Sequence, residues 1–170
     1  MPAPLLSAEV IELPDTLEAV EAHFYEQGWS DGLPIVPPTP ERVTAMLAGI
    51  DAEPDLVVGK IPPLWGEATV EKVAINAVMA GCRPEVMPVL VAALEAMLEA
   101  PFNLYGVQAT THPVAPLLVV HGPAAARLGI HAGAGCFGPG HRGNATLGRA
   151  VRLCLLNLGG ARPGSGDMAT

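Results

Sequence analysis

Residues 133–150 read GAGCFGPGHRGNATLGRA, which places six glycines, one proline, one cysteine, one histidine and two arginines in eighteen positions. Glycine and proline at that density exclude a regular element over the first part of the stretch. Beyond it, ATLGRAVRLCLLNLGG carries Leu147, Val151, Leu155 and Leu158 at helical spacing. The chain must therefore set a bare, cationic loop directly ahead of a helix N-terminus.

Such a terminus leaves backbone N–H groups unpaired and carries partial positive charge. Glycines before it let the backbone close around an oxyanion without side-chain collision. Asn144 reads as the N-cap, which starts the helix at Ala145 with His141 and Arg142 just before it. Arg149 and Arg152 follow within two turns, where the helix dipole disfavours cations. A bound carboxylate or phosphate would offset that crowding. Arg142, Gly140, Gly143, Asn144 and Arg149 are the candidate binding residues. The plainer reading is a turn-rich connection with solvated arginines.

The charge distribution favours a local anion. Net charge is −8, yet sixteen of the seventeen acids lie between Glu9 and Glu99. From Ala100 to Gly166 there is no Asp or Glu, while Arg127, Arg142, Arg149, Arg152 and Arg162 give that stretch a formal charge of +5. Long nucleic acid would be repelled by the total, so no nucleic-acid partner is expected. The loop is not a phosphate-binding GxxxxGK[ST] motif. Gly138, Gly140 and Gly143 spell GxGxxG, but no long strand precedes them and no acid follows at ribose distance.

Candidates for chemistry cluster around the same loop. Cys136 is a candidate nucleophile, since a thiolate gains from a nearby imidazole, guanidinium and helix terminus. His141, or His112 in TTHPVAP, is the candidate proton-transfer group. Asn76, inside the apolar run AINAVMAG, must find partners for a buried amide, by ligand or by backbone. Asp31, Glu67, Trp29 and Trp65 lie in loops that could carry function. Cys82 and Cys154 read as core. The three cysteines form no CxxC and the five histidines no HExxH or i,i+4 pair, so neither a metal site nor a particular cofactor is indicated.

The length suits a single domain spanning 1–170, with 1–12 and 163–170 expected to be flexible. Asp15 and Glu18 suggest a capping box for a first helix that Gly28 ends, and Thr39-Pro40 starts a second. DLVVGKI reads as a strand, IPPLWGEA as a loop, and Thr69 opens a third helix. PEVMPVLVAALEAMLEA begins a fourth, provided Pro88 stays in its opening turn. NLYGVQATT and APLLVVHG read as strands, and PAAARLG as one or two helical turns. The expected fold is α/β or α+β, a layered domain with about five helices and three or four short strands.

Half of the residues are hydrophobic and the mean hydropathy is +0.38, yet no apolar run reaches membrane-spanning length. No membrane partner is expected. The N-terminus lacks a basic region and meets Glu9 early, so a cytoplasmic location is expected. Apolar content this high suggests surface covered by another chain, in a homo-oligomer or by a second subunit.

WSDGLPIVPPTPERV, AINAVMAGCRPEVMPVLVAALEAM, NLYGVQATTHPVAPLLVVHGP and GNATLGRAVRLCLLNLGGARPG together resemble an uncharacterised bacterial family. That family is similar to the N-terminal portion of UGSC-type (seleno)proteins, which have been compared with glycine and proline reductase subunits. The resemblance implies longer chains, so that this one would be a truncated product or one subunit of a larger assembly. No UGSC or CGSC quartet occurs, and the nearest string is GAGC at 133–136.

The leading expectation is an enzyme domain or subunit that binds a small anionic organic substrate at the glycine loop. A non-catalytic partner subunit is the alternative, and a thiol redox enzyme using Cys136 is a third.

Overall fold

The computed structural model describes residues 6–168. Its α-helices are α1 (Leu17–Glu26), α2 (Pro40–Leu47), α3 (Val70–Met79), α4 (Met87–Leu98), α5 (Leu104–Ala109), α6 (Pro123–Leu128) and α7 (Arg142–Asn157). Strands β1 (Val57–Ile61) and β2 (Gly66–Thr69) form the sheet, and single 3-10 turns occupy Pro84–Val86 and Ala100–Phe102. The fold is α+β, with seven α-helices and one two-stranded antiparallel sheet among the described residues. None of the helices is long and apolar enough to cross a membrane.

Local chemistry explains most boundaries. Thr16, one residue past the expected Asp15, caps α1 by accepting from the Ala19 N–H at 3.3 Å. Pro40 takes the first position of α2. Thr69 ends β2 and caps α3 through the Lys72 N–H at 3.3 Å. Pro88 stands in the first turn of α4, the one place where its missing N–H costs nothing. Met87, Leu90, Val91, Leu94 and Met97 then bury one face of α4 at helical spacing.

The core is aliphatic. Helix α3 lies at its centre, packed against α2, α4 and α7, while α4 also covers β1. Ile61, Val70, Val73, Ala74, Ala77, Leu90, Leu153 and Cys154 are fully buried. Phe24 is the one buried aromatic among the described residues, held edge-on against Trp29 with centroids 5.5 Å apart. Gly49 lets α2 meet the Pro84 turn, since a Cβ there would fall 1.9 Å from the Pro84 carbonyl oxygen.

The sheet is smaller than expected. DLVVGKI does supply β1, but its partner β2 comes from the stretch read as a loop, with Val57 opposite Thr69 and Ile61 opposite Gly66. NLYGVQATT is the helix α5. Asn103 adopts φ 53°, caps it by accepting from the Gly106 N–H, and Leu104 and Gln108 are buried at i,i+4. APLLVVHG belongs to no sheet. Exposure alternates along Pro116–His121 as in a strand, but among the described residues no second strand lies beside it.

Hydrogen bonds join described residues near each end to the rest of the chain. The buried Glu71 carboxylate accepts the N–H groups of Ser7 and Ala8 and the Ser7 hydroxyl. At the other end, Asp167 N–H donates to Arg162 and Met168 N–H to Gln108. Residues 1–5 and 169–170 lie outside the described residues.

Gly49→Ala should lower the unfolding free energy by about 2 kcal/mol, the cost typical of overpacking a rigid contact. Urea denaturation would measure it, with the slope unchanged from wild type.

Candidate functional site

Helix α7 begins at Arg142, three residues before the expected start, and His141 takes the cap position without a side-chain bond. Asn144 is therefore not the N-cap. It lies inside the first turn and reaches back across the glycine loop. Its Oδ1 accepts the His131 N–H at 2.9 Å, and its Nδ2 donates to the carbonyls of His131 at 2.9 Å and Cys136 at 3.1 Å. One side chain thus clamps both arms of the loop.

This clamp brings His131 against His141, with ring centroids 3.9 Å apart and planes 14° from parallel. His131 Nε2 lies 3.1 Å from the Ala134 carbonyl oxygen. Gly143 lets α7 approach the 128–130 turn, because a Cβ would sit 2.4 Å from the Leu128 carbonyl oxygen. Gly140 has φ +108° and stands in open space. Cys136 is half-buried in the same loop. His131 completes the cluster. Its separation from His141 is visible in the sequence, but only the loop's closure stacks the rings.

The arginines turn inward instead of converging on the loop. Arg142 donates through Nε and Nη2 to the Gly81 carbonyl at the end of α3. Arg149 grips Asp31 with two 2.8 Å hydrogen bonds and also donates to the carbonyls of Leu33 and Pro34. Arg152 pairs with Asp167 and donates to Ala161, and Arg162 donates to Gly28. These guanidinium groups fasten α7 and the residues after it to the rest of the chain. The crowding of cations at the helix start has a structural cause: each satisfies main-chain oxygens or an acid that the fold brings beside it.

Other sequence candidates also have structural partners. Asn76 bridges α3 and α7, donating to the Lys72 carbonyl at 2.9 Å and accepting from Asn157 Nδ2 at 2.7 Å. His112 is exposed and holds its own turn through Thr110 Oγ1, and among the described residues it makes no hydrogen bond to the 131–141 loop. Glu67 pairs with Lys60 at 3.5 Å on the surface. Trp29 packs on Phe24 and His23, and Trp65 stacks on Tyr105 at 6.3 Å, both rings of that pair being exposed.

Electrostatics agree with these roles. Burial alone would raise the Asp31 carboxyl, but the hydrogen bonds and charge of Arg149, with the Leu33 N–H, outweigh it and hold the group below its ordinary 3.8. Glu71 behaves alike, since bonds from Ser7 and Ala8 outweigh its burial. Burial pushes the Cys82 thiol up to about 11, although Thr146 and Arg142 pull the other way. Cys154 is raised by burial and by Cys82 nearby. Neither is a thiolate at neutral pH, in keeping with core roles. Among the described residues no group of three or more His, Cys, Asp or Glu could hold a metal ion.

Two cavities lie away from the glycine loop. One, of about 450 Å³, sits between α1 and the 30–35 turn, with Glu18, Glu21 and Tyr25 on its wall. The other, of about 180 Å³, lies where α5, residues 114–118 and α7 meet. Compared with known proteins, the chain matches no family model, no curated protein and no solved structure.

Asp31→Asn should destabilise the fold by about 2 kcal/mol at neutral pH, because it leaves Arg149 without its charged partner. A carboxyl lowered in the folded state stabilises above its unfolded value and loses that contribution as pH falls through the folded value. The gap between wild type and Asp31→Asn should therefore be full above pH ~5 and close in acid. Urea titrations at stepped pH would follow it.

Proposed function

We propose that this chain is a subunit that pairs with a second copy of itself through residues 115–121. The observation that carries this reading is an apolar segment with strand-like exposure and no strand beside it. Among the described residues its backbone N–H and C=O groups make no hydrogen bond. Leu117 and Val119 are each 66 % exposed. In an extended chain alternate residues address the same edge, so Ala115, Leu117, Val119 and His121 share one edge and Pro116 falls on the other. That proline-free edge is open to strand addition.

A second copy suits the edge because antiparallel pairing about a two-fold axis matches a segment with itself. Self-pairing also brings no like charges together, since residues 110–126 contain no Asp, Glu, Lys or Arg. Phe137, 86 % exposed in the glycine loop, adds apolar surface for burial.

A second reading keeps the chain as an enzyme domain or subunit for a small anionic organic substrate. It is favoured by the start of α7, where the N–H groups of residues 142–144 have no acceptor among the described residues. The stacked His131 and His141 stand beside them, with His141 as the proton-transfer group.

Light scattering should give a particle of twice the 17.5 kDa chain mass, and Val119→Pro, which removes an N–H from the pairing edge, should reduce it to a monomer. A monomeric wild type at micromolar concentration rejects the pairing. For the second reading, inorganic phosphate should bind wild type about tenfold more tightly than His141→Ala, a difference of ~1.4 kcal/mol. Equal, negligible binding to both in calorimetry would dismiss it.

A further inference from the structure

The turn that joins β1 to β2, residues 62–65, ends on Trp65 at φ 59°. Left-handed backbone is costly for a bulky side chain, and glycine or asparagine would hold the same turn with less strain. Burial does not compensate, since Trp65 is 56 % exposed. The fold nevertheless fixes it there. Leu64 N–H donates to the Gly159 carbonyl at 2.9 Å, and the Pro62 carbonyl accepts from Gln108 Nε2. A Cβ on Gly66 would fall 2.1 Å from the Leu158 carbonyl oxygen, so the next residue is pinned as well. Strain held firmly at a surface is a mark of residues that meet a ligand.

A second ring stands beside the indole. Asn103, the other non-glycine residue at positive φ among the described residues, caps α5, whose second residue is Tyr105. Tyr105 is 51 % exposed, and its ring lies 8° from parallel to the indole. The 6.3 Å between centroids exceeds the ~3.5–4 Å of face-to-face contact, so the rings do not cover one another's faces. Among the described residues neither the Trp65 indole N–H nor the Tyr105 hydroxyl makes a hydrogen bond.

Charge narrows what can lie on these rings. Residues 61–66 and 100–110, which present them, contain no Asp, Glu, Lys or Arg. Lys60 and Glu67, at the foot of the turn, pair with each other at 3.5 Å. A quaternary ammonium would find no free carboxylate beside the rings, and a nucleotide no cation for its phosphate. A sugar would set many hydroxyls against two side-chain donors. A proline-rich chain answers the surface better: it is uncharged and apolar, and in the polyproline II form its carbonyls are unpaired. Its rise of ~3.1 Å per residue places alternate residues about 6 Å apart, close to the spacing of the two rings.

We infer that Trp65 and Tyr105 form a docking platform for an uncharged proline-rich segment of a partner protein, bound in the polyproline II form. Its pyrrolidine rings lie across the two aromatic faces, and its carbonyls accept from the Trp65 indole N–H and the Tyr105 hydroxyl. The pinned turn holds the indole in place beforehand, so binding does not have to order it. This inference does not rest on the strand pairing through residues 115–121.

Decaproline titrated into the full chain, with the Trp65 indole N–H followed by NMR, is the test. A saturable shift is expected, with none from choline or cellotetraose at equal concentration. Asparagine accepts the left-handed turn, so Trp65→Asn should fold and should bind decaproline roughly tenfold more weakly, read on the amide signals of α5. Tyr105→Ala should weaken it to a similar degree, and decides the matter if Trp65→Asn does not fold. Wild type without a saturable shift, choline or cellotetraose binding as tightly as decaproline, or undiminished binding to the folded variants would each overturn the platform. So would a Trp65 shift that follows protein concentration alone, which would give the surface to a second copy.

Discussion

Helix α7 is held on two sides by different physics, and the second half of the molecule depends on both. One side buries Leu147, Val151, Leu153, Cys154 and Leu155 against α3 and α4. The other presents side-chain donors to loops far away in sequence: Arg142 to Gly81, Arg149 to Asp31 and its turn, Asn157 to Trp29. Those loops carry carbonyl oxygens that regular structure leaves without partners. A guanidinium, with five donors in a rigid fork, can satisfy several at once.

This arrangement decides what chemistry the helix can offer. A guanidinium spent on main-chain carbonyls is not free to take a substrate carboxylate, and moving it would undo the attachment of a loop. What α7 has left is backbone amides at its leading end and the histidine stack. Both lie against chain that regular structure does not hold, the glycine loop. The regular elements supply rigidity, and the irregular segments supply the surfaces at which a second molecule can be met.

Much of the helical frame was legible because its signals are local. Thr39-Pro40, Thr69 and the Pro84–Pro88 turn mark helix starts through groups that act within a few residues. The aliphatic faces of α4 and α7 follow from spacing alone. Misreadings arose where two local rules competed. NLYGVQATT is rich enough in β-formers to suggest a strand, but Asn103 in a left-handed conformation caps a helix there, and Leu104 and Gln108 bury at helical spacing. Asn144 has the chemistry of an N-cap, yet its side-chain oxygen and both amide donors are engaged in clamping the loop arms. The β2 strand was invisible because Gly66–Thr69 acquires its extended form from pairing with β1, not from its own residues.

The sequence by itself determined that helices and a small sheet are mixed, the positions of the main helices, the inert burial of Cys82 and Cys154, and the carboxylate-free stretch around α7. These depend on spacing, capping and composition, all of which act at short range along the chain. Only the tertiary structure decided where each arginine ends, that Asn76 joins two helices, and that, among the described residues, 115–121 has no strand beside it. Hydrogen-bond partners and cavities are set by residues tens of positions apart, and charge along a chain says nothing of which oxygens folding will place in front of it.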